Sequence, residues 1–117
     1  MHVFNITKCS RTYKGSGRTI YADTQFCAGG VEGEDSCVGD SGAGAYTEIT
    51  ENTVLKQQMQ IGVVSWGPTK CGSSGVPGVY LKLRAYLPWI LDNLREYTRY
   101  LVKYHYYFHY FTRYSDL

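Results

Sequence analysis

Gly39-Asp40-Ser41-Gly42 is where this chain concentrates its chemistry. A serine held between glycines, with an aspartate before it and Cys37 just upstream, has the setting of a nucleophilic hydroxyl on a tight backbone turn. The reaction this suggests is acyl transfer. Serine is a weak nucleophile, however, and needs a positioned base to accept its proton. The three histidines are His2, His105 and His109. They lie near the two ends of the chain, and none is in a context that would make it that base. The reaction class is legible; its base is not.

The elements that would have to position Ser41 are those of one domain, since 117 residues do not support two. Most of the 13 glycines fall between Gly29 and Gly78, which describes a turn-rich middle and excludes a helix bundle. A formal net charge of +2 gives nucleic-acid binding little support. No apolar run reaches the roughly 20 residues of a membrane-spanning helix. The cysteines at 9, 27, 37 and 71 form no C-x-x-C pair and do not cluster with histidine. Neither a metal site nor a cofactor is expected. An even number of widely spaced cysteines suits two disulfides in an oxidising compartment, with three pairings open from the sequence. The opening MHVFNITKCS has no signal-peptide pattern, which suggests that the chain is not a complete precursor.

Along the chain, Val3, Phe4 and Ile6 read as a short strand, and Lys8–Tyr13 as a short helix ended by Gly15-Ser16-Gly17. Phe26–Gly30 re-enters the core, and an acidic, glycine-rich loop runs from Val31 to Asp40. Strands are expected at Ala43–Ile49, Gln57–Gly67 and Gly78–Leu83. Pro88 is placed in the first turn of a helix ending at Leu94. Trp66 and Trp89 are both expected in the core. Asn5-Ile6-Thr7 is a glycosylation sequon, expected to stay unoccupied because it falls in the predicted strand. Residues 97–117 contain nine aromatics, and Tyr97, Tyr100, Tyr104, Tyr107, Phe111 and Tyr114 form a heptad-like stripe. An extension of the terminal helix with no functional role is preferred over a membrane or partner face.

Four blocks together carry a family resemblance: FCAGG at 26–30, DSCVGDSG at 35–42, VVSWG at 63–67 and PGVYLKL at 77–83. In this order and spacing, followed by WILDNL, they resemble the C-terminal half of a trypsin-like serine endopeptidase of the chymotrypsin fold. The pattern is nearest that of arthropod clip-domain proteases. The resemblance implies a mostly β domain over residues 1–96, a six-stranded antiparallel barrel half with a C-terminal helix, and an aromatic-rich extension at 97–117. It implies Ser41 as nucleophile, with the N–H groups of Gly39 and Ser41 as the oxyanion hole. Asp35 would form the floor of a pocket for Arg or Lys, Ser65, Trp66 and Gly67 would pair with substrate backbone, and Gly67 and Gly78 would keep the pocket open. Cys9–Cys27 and Cys37–Cys71 are the implied disulfides, and Asp40 the residue linked to activation.

Three departures follow. The contexts that hold the family's catalytic histidine and aspartate, in the N-terminal barrel, do not occur in this sequence. No new amino terminus is present to pair with Asp40. Gly42 is followed by Ala43, Gly44 and Ala45, where relatives continue with Gly-Pro. The expectation is a secreted endopeptidase half that acts on protein or peptide substrates after Arg or Lys, inactive without its missing N-terminal barrel. The alternative is a non-catalytic homologue or truncated product that acts by binding protein.

Overall fold

The computed structural model describes residues 2–51 and 55–94. The aromatic stripe of 97–117, with His105 and His109, lies outside them. Val3–Phe4 (β1) is followed by the helix Ile6–Thr12 (α1), then by Gln25–Gly29 (β2), Gly44–Glu51 (β3), Leu55–Trp66 (β4) and Pro77–Lys82 (β5). The helix Leu83–Asn93 (α2) closes the order. The five strands pair antiparallel in one sheet, β1-β2-β5-β4-β3, so the described strands are one fewer than the six expected. The chain divides into two compact units, Met1–Leu83 and Arg84–Leu117.

The central strands β2 and β5 are apolar on both faces because each face meets a different cluster. Phe26 and Ala28 join Ala45 and Tyr80 on one side. Cys27 and Val79 join Cys9 and Tyr13 on the other, with Phe4, Ile6, Ile20, Trp66 and Val76 packed around them. Successive residues of a strand point to opposite faces, so this alternation places one cluster on each side of the sheet. Burying Val79, at 1% exposure, contributes about 1.5–3 kcal/mol. Cys9 sits on α1 and Cys27 on β2, and their disulfide fixes the helix to the sheet.

Local structure departs from the sequence reading at three places. Ile6 and Thr7 belong to α1, and Asn5 caps it, with its Oδ1 accepting the Lys8 N–H at 3.0 Å. The short polar side chain of Asn competes for free helix N–H groups, and here it stops the strand at Phe4. α2 begins at Leu83, so Pro88 is inside the helix and supplies no N–H to its ladder. The residues ahead of it, Arg84-Ala85-Tyr86-Leu87, carry the helix without a proline start. Within the second unit Trp89 is 66% exposed and not a core residue.

Candidate active site

The nucleophile-like turn is built by its own backbone. The Asp40 N–H donates to the Cys37 carbonyl at 3.0 Å, and the Ala43 N–H to the Asp40 carbonyl at 2.9 Å. The side chain of Asp40 closes the same turn: Oδ2 accepts the Cys37 N–H at 2.8 Å. Gly42 and Val64 then exchange contacts with the start of β3. The Gly42 N–H reaches the Val64 carbonyl at 3.0 Å, and the Val64 N–H reaches the Ala43 carbonyl at 2.9 Å. Ser41 is exposed, between Gly39 at φ 104° and Gly42 at φ 91°. A Cβ on Gly39 would meet nothing within 4 Å. Glycine is therefore required there by the backbone conformation, not by crowding within this chain.

Among the described residues, the Gly39 and Ser41 N–H groups have no backbone acceptor and the Ser41 hydroxyl has no partner. The only described histidine, His2, is exposed, and its carbonyl accepts the Gly29 N–H at 2.9 Å. Ala43, which stands where a glycine was expected, is exposed as well.

Asp35 is held from a different direction. Its Oδ2 accepts the Gly72 N–H at 3.1 Å. Gly72 is brought close by the Cys37–Cys71 disulfide and by a Gly33 N–H to Gly72 carbonyl bond of 3.1 Å. Backbones approach so closely there that a Cβ on Gly72 would lie 3.1 Å from the Gly33 Cα. The other oxygen, Oδ1, is buried and has no hydrogen-bond donor among the described residues. It faces Gly78, where an added Cβ would stand 3.2 Å away, and Gly29, where it would stand 3.8 Å away.

Gly67 and Gly78 oppose each other where β4 ends and β5 begins, and a Cβ on Gly67 would lie 3.5 Å from the Gly78 Cα. Ser65 is exposed at a register shift between Val64 and Trp66 and is passed over in the β4–β5 ladder. Trp66 is fixed by two residues that sequence reasoning missed. Tyr13 meets its ring edge-on at 4.8 Å, and the Arg18 guanidinium lies 4.9 Å from its centroid. The Tyr13 hydroxyl donates to the Pro77 carbonyl at 2.6 Å, which ties α1 to the start of β5. Burial is the largest cause raising the Tyr13 pKa, followed by the Asp35 charge, while Arg18 lowers it. The signal was available: Tyr13 follows Cys9 by four residues, one helical turn.

The structure thus brings the candidate residues into two groups. Asp35 and Asp40 share a cavity of about 380 Å³ that also contains Ser36, Ala45, Tyr46 and Tyr80. Its wall is ordered by a 3.0 Å hydrogen bond between the Ser36 and Tyr80 hydroxyls and by stacking of Tyr80 on Phe26 at 5.3 Å. Ser65, Trp66, Gly67 and Gly78 form the second group, and Asp35 Oδ1 connects the two by facing Gly78. Ser41 lies in neither. Among the described residues no cluster of three or more His, Cys, Asp or Glu could hold a metal ion.

The family described as Trypsin matches residues 1–90. A CLIP domain-containing serine protease B4 of Anopheles gambiae is 44% identical over 92 residues, covering 79% of this chain and 24% of the relative. Melanization protease 1 of Drosophila melanogaster is 47% identical over 89 residues, covering 76% of this chain and 22% of the relative. Mouse neuropsin, a serine protease of the limbic system, superposes with a TM-score of 0.59 at 34% identity, over 77% of this chain and 34% of its own. The chain therefore spans about a quarter of the length of the curated relatives it matches.

Proposed function

This chain belongs to the trypsin family of serine proteases, and we propose that it is the C-terminal half of a secreted endopeptidase that cuts proteins or peptides after Arg or Lys. In this reading residues 1–96 are the barrel half and residues 97–117 an extension. Ser41 attacks the scissile carbonyl, and the N–H groups of Gly39 and Ser41 stabilise the oxygen anion that forms. Ser65, Trp66 and Gly67 align the substrate backbone.

The observation that carries the specificity is the buried, undonated Oδ1 of Asp35 facing Gly78. A desolvated carboxylate oxygen is costly until a cation or donor reaches it. An Arg or Lys side chain would supply a charge-assisted hydrogen bond there. Neither Gly67 nor Gly78 carries a Cβ to stand in the path of its stem. Asp40 at present spends its Oδ2 on the Cys37 N–H, and activation would move that carboxylate onto a cationic partner.

The base for Ser41 comes, in this reading, from an N-terminal barrel outside these 117 residues. Without it the rate falls by several orders of magnitude. One observation favours a second reading, a homologue that binds protein without cutting it: the pocket around Asp35 is held within this chain, while Ser41 has no partner among the described residues.

A fluorophosphonate probe separates the readings. The isolated chain should remain unlabelled, and Ser41 should label once an N-terminal barrel that supplies histidine and aspartate is co-folded with it. Labelling of the isolated chain would overturn its dependence on a partner. Failure to label the completed protein would overturn the endopeptidase reading and leave the binding homologue.

A further inference from the structure

We propose that Asn5 is a site of N-linked glycosylation. Asn5-Ile6-Thr7 is the only sequon in the sequence, and its middle residue is not proline. The inference rests on the extracytoplasmic reading, which is supported by two disulfides and no free cysteine.

The objection raised from the sequence was that a strand would hold the acceptor. The structure removes it. β1 ends at Phe4, and Asn5 stands in the connection to α1 with its side chain exposed. Thr7 is exposed as well, while Ile6 between them packs against the core cluster around Cys9. The middle residue thus anchors the turn, and the two recognition residues face solvent.

The chemistry also spares the local structure. Glycosylation occurs on Nδ2, which makes no hydrogen bond among the described residues, whereas the helix is capped by Oδ1. In the transfer, Nδ2 attacks the anomeric carbon of a lipid-pyrophosphate-linked oligosaccharide. The C–N bond forms, the bond from that carbon to the pyrophosphate oxygen breaks, and one amide proton is released as the lipid pyrophosphate leaves. Nothing is oxidised or reduced. The product is still an amide, so its oxygen continues to accept the Lys8 N–H. A glycan there is therefore compatible with α1 and with the Cys9–Cys27 disulfide.

Topology keeps the sugar away from the candidate nucleophile. Asn5 follows β1, at one edge of the sheet, while the Ser41 turn leads into β3 at the other. The glycan would instead flank the exposed Val3 of the edge strand, where bulk discourages edge-to-edge pairing.

The test uses the full chain, produced behind a cleavable secretory leader in cultured eukaryotic cells. Peptides containing Asn5 are mapped by mass spectrometry before and after treatment with a peptide-N-glycosidase. Most copies should carry a glycan on Asn5 that the enzyme removes. Thr7→Ala, which leaves the Asn5 cap intact, should abolish it, as should Asn5→Gln. A secreted, disulfide-bonded chain with Asn5 unmodified would overturn the proposal, and so would a glycan that survives in Thr7→Ala. Secretion with the cysteines reduced would overturn the compartment reading, and this inference with it.

Discussion

Gly78→Ala tests the pocket more directly than any change at Ser41, because it acts on Asp35 without replacing it. The new methyl would stand 3.2 Å from Asp35 Oδ1 and 3.2 Å from the Tyr80 ring and hydroxyl. Those contacts are tight, yet both neighbours are side-chain atoms that can yield a few tenths of an ångström. Gly78 also has no positive φ, so alanine fits its backbone. Replacing glycine at a compatible position gains about 0.4–1 kcal/mol through the unfolded chain, which offsets the crowding. Stability should therefore change by no more than about 1 kcal/mol. Binding should change far more, since in the proposed reading the methyl stands between an incoming cation and Oδ1. A hydrogen bond to a charged group contributes about 1.5–3 kcal/mol, equivalent to roughly 10- to 150-fold in affinity. Calorimetric titration with a small aromatic amidinium should show a loss of that order in Gly78→Ala. Asp35→Asn, which retains the shape and removes the charge, should lose a similar amount. Unaltered binding in either variant would refute the argument, and so would a wild-type chain that does not bind the amidinium.

Gly62→Ala should destabilise the sheet itself. Its Cβ would come within 2.5 Å of a Phe26 ring carbon and 2.8 Å of the Leu81 carbonyl oxygen, and the latter is backbone. Overpacking costs about 1–3 kcal/mol, more than the glycine gain returns, so the urea midpoint should fall; a midpoint that rises would show that the sheet accommodates the methyl. Tyr13→Phe should cost about 1 kcal/mol at neutral pH, through loss of the hydrogen bond to Pro77. Because the folded-state pKa of Tyr13 lies above its ordinary 10.0, the tyrosine's contribution is complete below pH 10 and disappears as pH rises through the folded value. Urea midpoints of the two proteins should therefore converge above pH 10, and a gap that widens with pH would contradict the assignment.

What the sequence disclosed depended on whether the physics was local. The strands around Tyr46, Val64 and Val79 were legible because alternation and turn residues act within a few positions. Asn5 was misread because a cap competes with a strand through a single side-chain oxygen, which apolar spacing does not register. Pro88 was misread because its fixed φ suits a first turn and can also be tolerated further along. Trp89 was expected in the core on hydrophobicity alone. At the site, the short motif around Ser41 was visible at once. The Tyr13–Trp66–Arg18 stack was not, because it joins α1, the following turn and the end of β4 across 53 residues from Tyr13 to Trp66.

In the proposed reading, binding and catalysis draw on different lengths of chain. The contacts that position Asp35 lie between Gly29 and Gly78: the Gly72 N–H and the Cys37–Cys71 bridge hold it, and Gly29 and Gly78 flank its buried Oδ1. The turn that presents Ser41 is equally self-sufficient, since Asp40 and Cys37 close it with two hydrogen bonds. A hydroxyl can be presented by a turn a few residues long, but its proton must be accepted by a group held at hydrogen-bond distance by some other element. Among the described residues no side chain reaches Ser41 to do so. In a trypsin-family chain this divides the site along its energetics. In the proposed reading, recognition of a cation rests on one desolvated carboxylate, Asp35, held by a single sheet and its loops. Proton transfer, in the same reading, draws on a structural body outside the described residues.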